Sequence, residues 1–313
     1  MAGSLDLKGI IPATVTPMTA DAEVDEKQLR SYIEWLRGYQ GIKGLAVNMD
    51  TGEGPHLTDA ERKRIVEIFK ETCGDDLPIL AGLCGRSTAE ACAQAAMYRE
   101  AGADALVIFP PPVFAGGALG PRIPVEYHKA IHKASGLPMV LFQLQPALAG
   151  AIFSDETLSA LCKLDGVIAL KEASFDALTF ISTANIMRRY KDKITLLTGN
   201  DNFIYESFVL GARGALIGFG TLAVQEQIEM HRASMNRNYE LGLMLWEKVK
   251  PLCDTVFAAP VRDYRARTKI ALKHLGVIKS AAMRPPLMEV EPAEQEKILD
   301  ALDELKPAPP AKG

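Results

Sequence analysis

The chain is short of the features that mark metal, membrane or nucleic-acid proteins. Its five cysteines (Cys73, Cys84, Cys92, Cys162, Cys253) are scattered and odd in number, and none forms a C-x-x-C pair. Neither a zinc site nor a disulfide framework follows from that spacing. Reduced thiols in a cytoplasmic protein are the simple reading. No apolar run is long enough to cross a bilayer, so no membrane association is expected. The start, Met1-Ala2-Gly3-Ser4-Leu5-Asp6, lacks the basic and apolar regions of a signal peptide. Neither sign of charge dominates: 35 Lys and Arg face 39 Asp and Glu, a net charge of -4. Such a balance gives no reason to expect nucleic acid or an anionic membrane as partner. No G-x-G-x-x-G follows the first predicted strand, which weakens a dinucleotide-binding sheet.

What is present is one telling stretch, Gly166-Val167-Ile168-Ala169-Leu170-Lys171-Glu172. A short run rich in Val and Ile reads as a strand buried on both faces, as in a parallel sheet. The run stops on a lysine. A lysine where a buried strand surfaces can keep its amine dry, which penalises the charged form. A neutral amine is what attacks a ketone to form a Schiff base. The competing reading is a strand-end lysine with its head in water.

Predicted strands fall at residues 9–15, 44–48, 77–83, 104–109, 138–144, 166–172, 194–198 and 215–219. Helical spacing fills the gaps at 26–40, 58–72, 87–101, 125–134, 154–164 and 176–190. Thr58-Asp59-Ala60-Glu61 and Ser87-Thr88-Ala89-Glu90 read as capping boxes. Strands alternating with helices mean βαβ units and a parallel sheet. Eight units predict an α/β chain, a (β/α)8 TIM barrel over residues 1–234. A helical C-terminal extension follows over 235–305. It carries an apolar stripe at Leu241, Leu245, Val249 and Leu252 and further helices at 268–275 and 294–305. The Pro-rich stretch 306–313 reads as a flexible tail.

In such a barrel the chemistry lies at the C-terminal ends of the strands. That rule nominates Thr16 after strand one, and Asp50, Thr51, Gly52 and Glu53 after strand two. It adds Phe142 and Gln143 on strand five, Lys171 on strand six, Asn200 and Asp201 after strand seven, and Gly218 on strand eight. One lysine among small polar groups and glycines suits imine chemistry on an oxo acid. Glycines free backbone amides to hold a carboxylate. Side chains alternate along a strand, so Glu172 faces away from Lys171 and reads as structural. Glu53 reads as a loop brace. His128 and His132 share a helix face at i, i+4, but without a third ligand they read as surface residues rather than a metal site. His231 and His274 are expected to pack or face water.

Thr51-Gly52-Glu53, the strand ending in Leu170-Lys171-Glu172-Ala173, and Thr198-Gly199-Asn200-Asp201 with Leu210-Gly211-Ala212-Arg213-Gly214 carry a resemblance. Gly102-Ala103-Asp104-Ala105 and the Ser87 cap add to it. Together they resemble the dihydrodipicolinate synthase / N-acetylneuraminate lyase family, over nearly the whole chain. The resemblance implies a cofactor-free Schiff-base aldolase or dehydratase of 2-oxo acids, often tetrameric. It assigns Lys171 as the imine-forming lysine and the Asp50-Thr51 turn as the carboxylate loop.

The departures are specific. The family loop Gly-Thr-Thr-Gly-Glu is here Met49-Asp50-Thr51-Gly52-Glu53, so Asp50 replaces the first, proton-relaying threonine. The family's Tyr-Asn on strand five is Phe142-Gln143, and phenylalanine carries no proton. The arginine of dihydrodipicolinate synthases just beyond is absent, and Pro110-Pro111-Pro112 stands where a second tyrosine is expected. Another acid/base group is therefore needed: Asp50 first, His56 in reserve. Thr51, Gly52, Thr16, Phe142, Gln143, Asn200 and Gly218 are the expected substrate contacts, with no metal and a homo-oligomer (tetramer or dimer) as the assembly. Two other readings stand beside the lyase. One is a non-catalytic carboxylate binder, favoured by the lost tyrosine. The other is a metal-dependent barrel lyase, for which no ligand cluster is visible.

Overall fold

Strands sealed between an inner core and a ring of helices must be apolar on both faces. Every residue is buried in β1 (Ile10–Pro12), β2 (Leu45–Val47), β3 (Ile79–Leu83), β4 (Ala105–Ile108) and β5 (Met139–Leu144). β6 (Val167–Ala173), β7 (Thr195–Thr198) and β8 (Gly214–Ile217) are nearly so. The computed structural model describes residues 5–117 and 119–311. All neighbouring strands are parallel, in the order β1-β8-β7-β6-β5-β4-β3-β2. The ring closes through bridges between Ile10 and Ile42 and between Ala13 and Ala46, with Thr14 N–H donating to Ala46 O at 2.9 Å. This is the expected (β/α)8 barrel, with every strand but β6 shorter than the run that encodes it.

The outer ring is α1 (Glu26–Arg37), α2 (Asp59–Cys73), α3 (Thr88–Glu100), α4 (Arg122–Ser135), α5 (Asp155–Leu161), α6 (Ala177–Met187), α7 (Ile204–Leu210) and α8 (Val224–Met235). The Thr58 capping box forms in full: Glu61 N–H donates to Thr58 Oγ1 and Thr58 N–H donates to Glu61 Oε2. The second forms by half. Ser87 caps α3, but Glu90 accepts from Arg86 N–H instead of from the cap residue's own. His128 departs from the surface reading. It is buried, its Nδ1 lies 2.7 Å from Pro124 O, and burial pushes it down to about 4.

Beyond the barrel come α9 (Tyr239–Val256), α10 (Tyr264–His274) and α11 (Pro292–Leu305). α10 begins four residues before the predicted 268. Its first turns bury Arg265, Arg267 and Lys269, so no apolar stripe announces them. Two of these cations, Arg265 and Lys269, fasten the extension to the β2–α2 loop. Lys269 Nζ pairs with Glu53, both side chains fully buried. The same Nζ donates to Ala282 O at 2.7 Å, and Arg284 N–H donates to the other Glu53 oxygen at 2.7 Å. Arg265 Nε donates to Asp50 O at 2.9 Å. The expected loose tail also has partners: Tyr39 OH donates to Ala308 O, and Ala308 N–H donates to Glu226 Oε1, each at 3.1 Å.

Removing one partner of a buried ion pair strands the other in a dry site, at about 3–5 kcal/mol. Lys269→Met is expected to lower the free energy of unfolding by about that amount, read from urea titrations. A loss below about 1 kcal/mol would mean that Glu53 finds another partner or water.

Candidate active site

Alternation along β6 sends Ala169, Lys171 and Ala173 into the barrel and Leu170 and Glu172 toward the helices. Lys171 pairs in register with Phe142 on β5 and Leu197 on β7. Its Nζ lies 4.2 Å from the centre of the Phe142 ring, which in turn meets Phe109 edge-on at 4.9 Å. A methyl group on Gly199 would fall 2.8 Å from Lys171 Cε, so that glycine makes room for the lysine chain. Among the described residues the amine has no hydrogen-bond partner. Burial pushes it down to about 8, against the pull of Asp201 and then Asp50.

Asp201 is a member of the site that the sequence reading left out of its contact set. Its carboxyl is buried, and Oδ1 accepts from Phe219 N–H at 2.8 Å. Burial drives it up to about 7, opposed by that N–H and by Lys171. The side chain of its neighbour Asn200, an expected substrate contact, is engaged within the protein. Asn200 Nδ2 donates to Glu172 Oε2 at 2.6 Å and to Glu172 O at 2.9 Å, while Oδ1 accepts from Phe175 N–H at 2.6 Å. Gln143 is likewise turned outward. It donates to Thr183 Oγ1 at 3.1 Å and accepts from Phe153 N–H at 3.0 Å. With Phe142 inward, the two-residue period sends Gln143 to the helix layer.

The loop after β2 supplies the other wall. Thr16 Oγ1 donates to Gly52 O at 2.7 Å, so Thr16 braces the turn rather than reaching the mouth. A methyl group on Gly52 would meet Thr14 O at 2.7 Å, and Gly52 N–H is taken by Met49 O. Gly52 thus serves close packing, and the N–H groups of Asp50 and Thr51 have no hydrogen-bond partner among the described residues. Asp50 pairs with Arg265 through Oδ1 and accepts from Tyr264 OH at 3.1 Å through Oδ2. Thr51 Oγ1 lies 3.1 Å from the same phenol. The Tyr264 ring stacks on Phe257 at 4.8 Å, and any side chain on Gly218 would strike it. Tyr264 belongs to α10 and carried no signal in sequence. A cavity of about 400 Å³ opens beside Asp50, lined also by Cys84, Arg86, Phe109 and Leu144. Pro55 borders it and His56 does not. The half-buried His56 ring has no hydrogen-bond partner among the described residues, and burial lowers its proton affinity. The structure therefore brings Lys171, Asp50, Thr51, Phe142, Gly218, Asp201 and Tyr264 together. It sets Gln143, Asn200, Thr16 and His56 apart.

The dihydrodipicolinate synthetase family model matches residues 6–305. The chain is 30% identical over 284 residues to 4-hydroxy-tetrahydrodipicolinate synthase of Methanothermobacter thermautotrophicus, covering 90% of this chain and 97% of that one. It is 27% identical over 296 residues to 4-hydroxy-tetrahydrodipicolinate synthase 2 of Clostridium acetobutylicum, covering 94% and 99%. Among solved structures, dihydrodipicolinate synthase of Bacteroides thetaiotaomicron superposes with a TM-score of 0.84 at 27% identity, covering 96% of this chain and 99% of that one.

The buried amine predicts a pH dependence. Only the neutral amine attacks a carbonyl, and burial makes that form available above about 8 instead of above 10.5. Reductive trapping of Lys171 by pyruvate is expected to speed up by about tenfold per pH unit below the midpoint and level off above it. A midpoint near 10.5 would show a hydrated lysine.

Proposed function

The chain belongs to the dihydrodipicolinate synthetase family, and from that premise we propose that it is a lyase acting on pyruvate or another 2-oxo acid through a Schiff base at Lys171. One observation carries this reading: among the described residues, the one lysine amine at the barrel mouth rests dry over Phe142, free of any ion pair. Neutral Lys171 Nζ attacks C2, and the carbinolamine loses water to give an imine. The protonated imine is the electron sink. It permits cleavage or formation of a C–C bond, or loss of water from a 3-deoxy-2-oxo acid. The Thr51 N–H, which has no partner among the described residues, suits a carboxylate at the mouth. The sink supplied by the imine makes a metal or organic cofactor unnecessary. The exposed Leu178 and Ile181 on α6 and Leu243 and Met244 on α9 support a homo-oligomer, and the free thiols support a cytoplasmic setting.

Phe142 stands in register with Lys171, so no shift of the strand brings a tyrosine to that place. Dihydrodipicolinate synthesis is therefore not the reading we favour. Pyruvate with aspartate semialdehyde is expected to give no turnover in the ordinary enzyme range of about 1–1000 s⁻¹. A kcat of about 10 s⁻¹ or more in that assay would reverse this specificity.

The direct test is borohydride reduction in the presence of a panel of 2-oxo acids, followed by peptide mass spectrometry. Lys171 is expected to carry the reduced adduct, and Lys171→Ala to carry none. An adduct at another lysine, or none with any 2-oxo acid, would sink the lyase reading and favour a non-catalytic carboxylate binder.

A further inference from the structure

Imine chemistry moves protons at C2 and C3, and Phe142 offers none. The barrel strands hold no phenol near Lys171, yet one is delivered from outside the barrel. Tyr264, in the first turn of α10, is buried under the mouth. Its hydroxyl lies 3.1 Å from both Thr51 Oγ1 and Asp50 Oδ2. Its ring is held by the Phe257 stack, and Gly218 is the residue type that lets it enter. Burial, followed by Asp50, holds the phenol well above its ordinary value, so it stays a donor to that carboxylate. A methyl group on Gly218 would meet the Tyr264 ring and Thr51 Oγ1, the next residue's N–H donates to Asp201, and Gly199, two residues before Asp201, lies against Lys171, so these groups follow one another around the mouth. Asp50 and Asp201 both act electrostatically on Lys171 and on Tyr264. Arg265 neutralises Asp50 from the far side.

Resting on the lyase reading, we propose that the Tyr264 hydroxyl, backed by Asp50, is the acid/base group for the Lys171 imine, supplied by the C-terminal extension in place of a strand-five tyrosine. In the forward step the C3–H bond of the protonated imine breaks. Its electron pair forms the C2–C3 double bond, and the C2–N pair returns to nitrogen. The proton goes to the phenol oxygen while the phenol passes its own hydrogen to Asp50 Oδ2. A cation and a carboxylate become a neutral enamine and a neutral acid, and the reverse path returns a proton to C3. The extension is then part of the catalytic apparatus, supplying the phenol that the barrel strands lack.

Pyruvate alone tests this, because the cycle exchanges its methyl hydrogens with solvent. In D2O, proton NMR reads the exchange rate, and borohydride trapping reads the fraction of Lys171 held as imine. Tyr264→Phe keeps the ring stack and is expected to slow exchange by at least about 100-fold. The trapped fraction should stay within about twofold of the parent. Asp50→Asn should slow exchange by at least about tenfold, and it carries the same test from the acceptor end should Tyr264→Phe fail to fold. Exchange by Tyr264→Phe within about threefold of the parent overturns the proposal. So does an equal fall in exchange and trapped fraction, which marks a residue that merely holds the loop. A parent protein that traps no 2-oxo acid removes the lyase reading itself, and the parent's result alone distinguishes that failure.

Discussion

The site depends on one buried ion pair, Lys269 with Glu53. Neither side chain has any exposure to water. Glu53 sits in the left-handed region at φ 59°, a conformation that a non-glycine residue adopts only when its surroundings enforce it. An ion moved from water into a dry interior loses several kcal/mol unless it is paired and its remaining oxygens are bonded. Here Lys269 supplies the charge and Arg284 N–H satisfies the second oxygen. Both come from the C-terminal extension, so the turn at residues 50–53 has its observed shape only while the extension is docked. Asp50, Thr51 and the stacked Tyr264 inherit their positions from that contact.

Much of this was legible in the sequence. An apolar run ending on a lysine is a local signal, and barrel topology converts it into a position at the mouth. The inward Phe142 and the outward Glu172 follow from alternation along a strand. Asn200 and Gln143 turn away from the mouth, which the same reasoning did not foresee. The rule that nominates strand ends does not say which face a residue takes, and both of these side chains point to the helix layer. There they satisfy Glu172, Thr183 and the backbone. Asp201, one residue beyond Asn200, turns inward where the chain leaves the strand, and no periodicity continues into that turn.

Tyr264 was not legible, and its invisibility has a physical cause. It meets Thr51 across 213 residues of sequence. The helix that carries it opens with Tyr264-Arg265-Ala266-Arg267, a pattern that reads as solvated surface. Those arginines are buried because each finds fixed acceptors. Arg265 bonds Asp50 and Arg262 O, and Arg267 bonds Glu294, Val256 O and Ala258 O. Charged residues that are buried through partners distant in sequence erase the hydrophobic period by which helices are recognised. The start of α10 was therefore missed at the residues that touch the site.

The electrostatics of the basin follow from dryness rather than from any single contact. Burial drives Lys171 down and Asp201 up, toward a neutral amine and a neutral acid, while their mutual attraction opposes both shifts. On the proposed lyase reading, a protonated imine at Lys171 would change that balance. Its positive charge cannot be shed by losing a proton to solvent without returning the neutral imine, a poorer electron sink. A cation held there favours ionised Asp201 and strengthens the Phe219 N–H bond to it. The carboxylate that leaves the free amine reactive is then the one that steadies the cation after attack. In the proposed transfer Asp50, on the other side, would turn the cationic imine and its own carboxylate into a neutral enamine and a neutral acid. The charge that remains would be that of Arg265, whose guanidinium keeps its bonds to Asp50 O and Arg262 O.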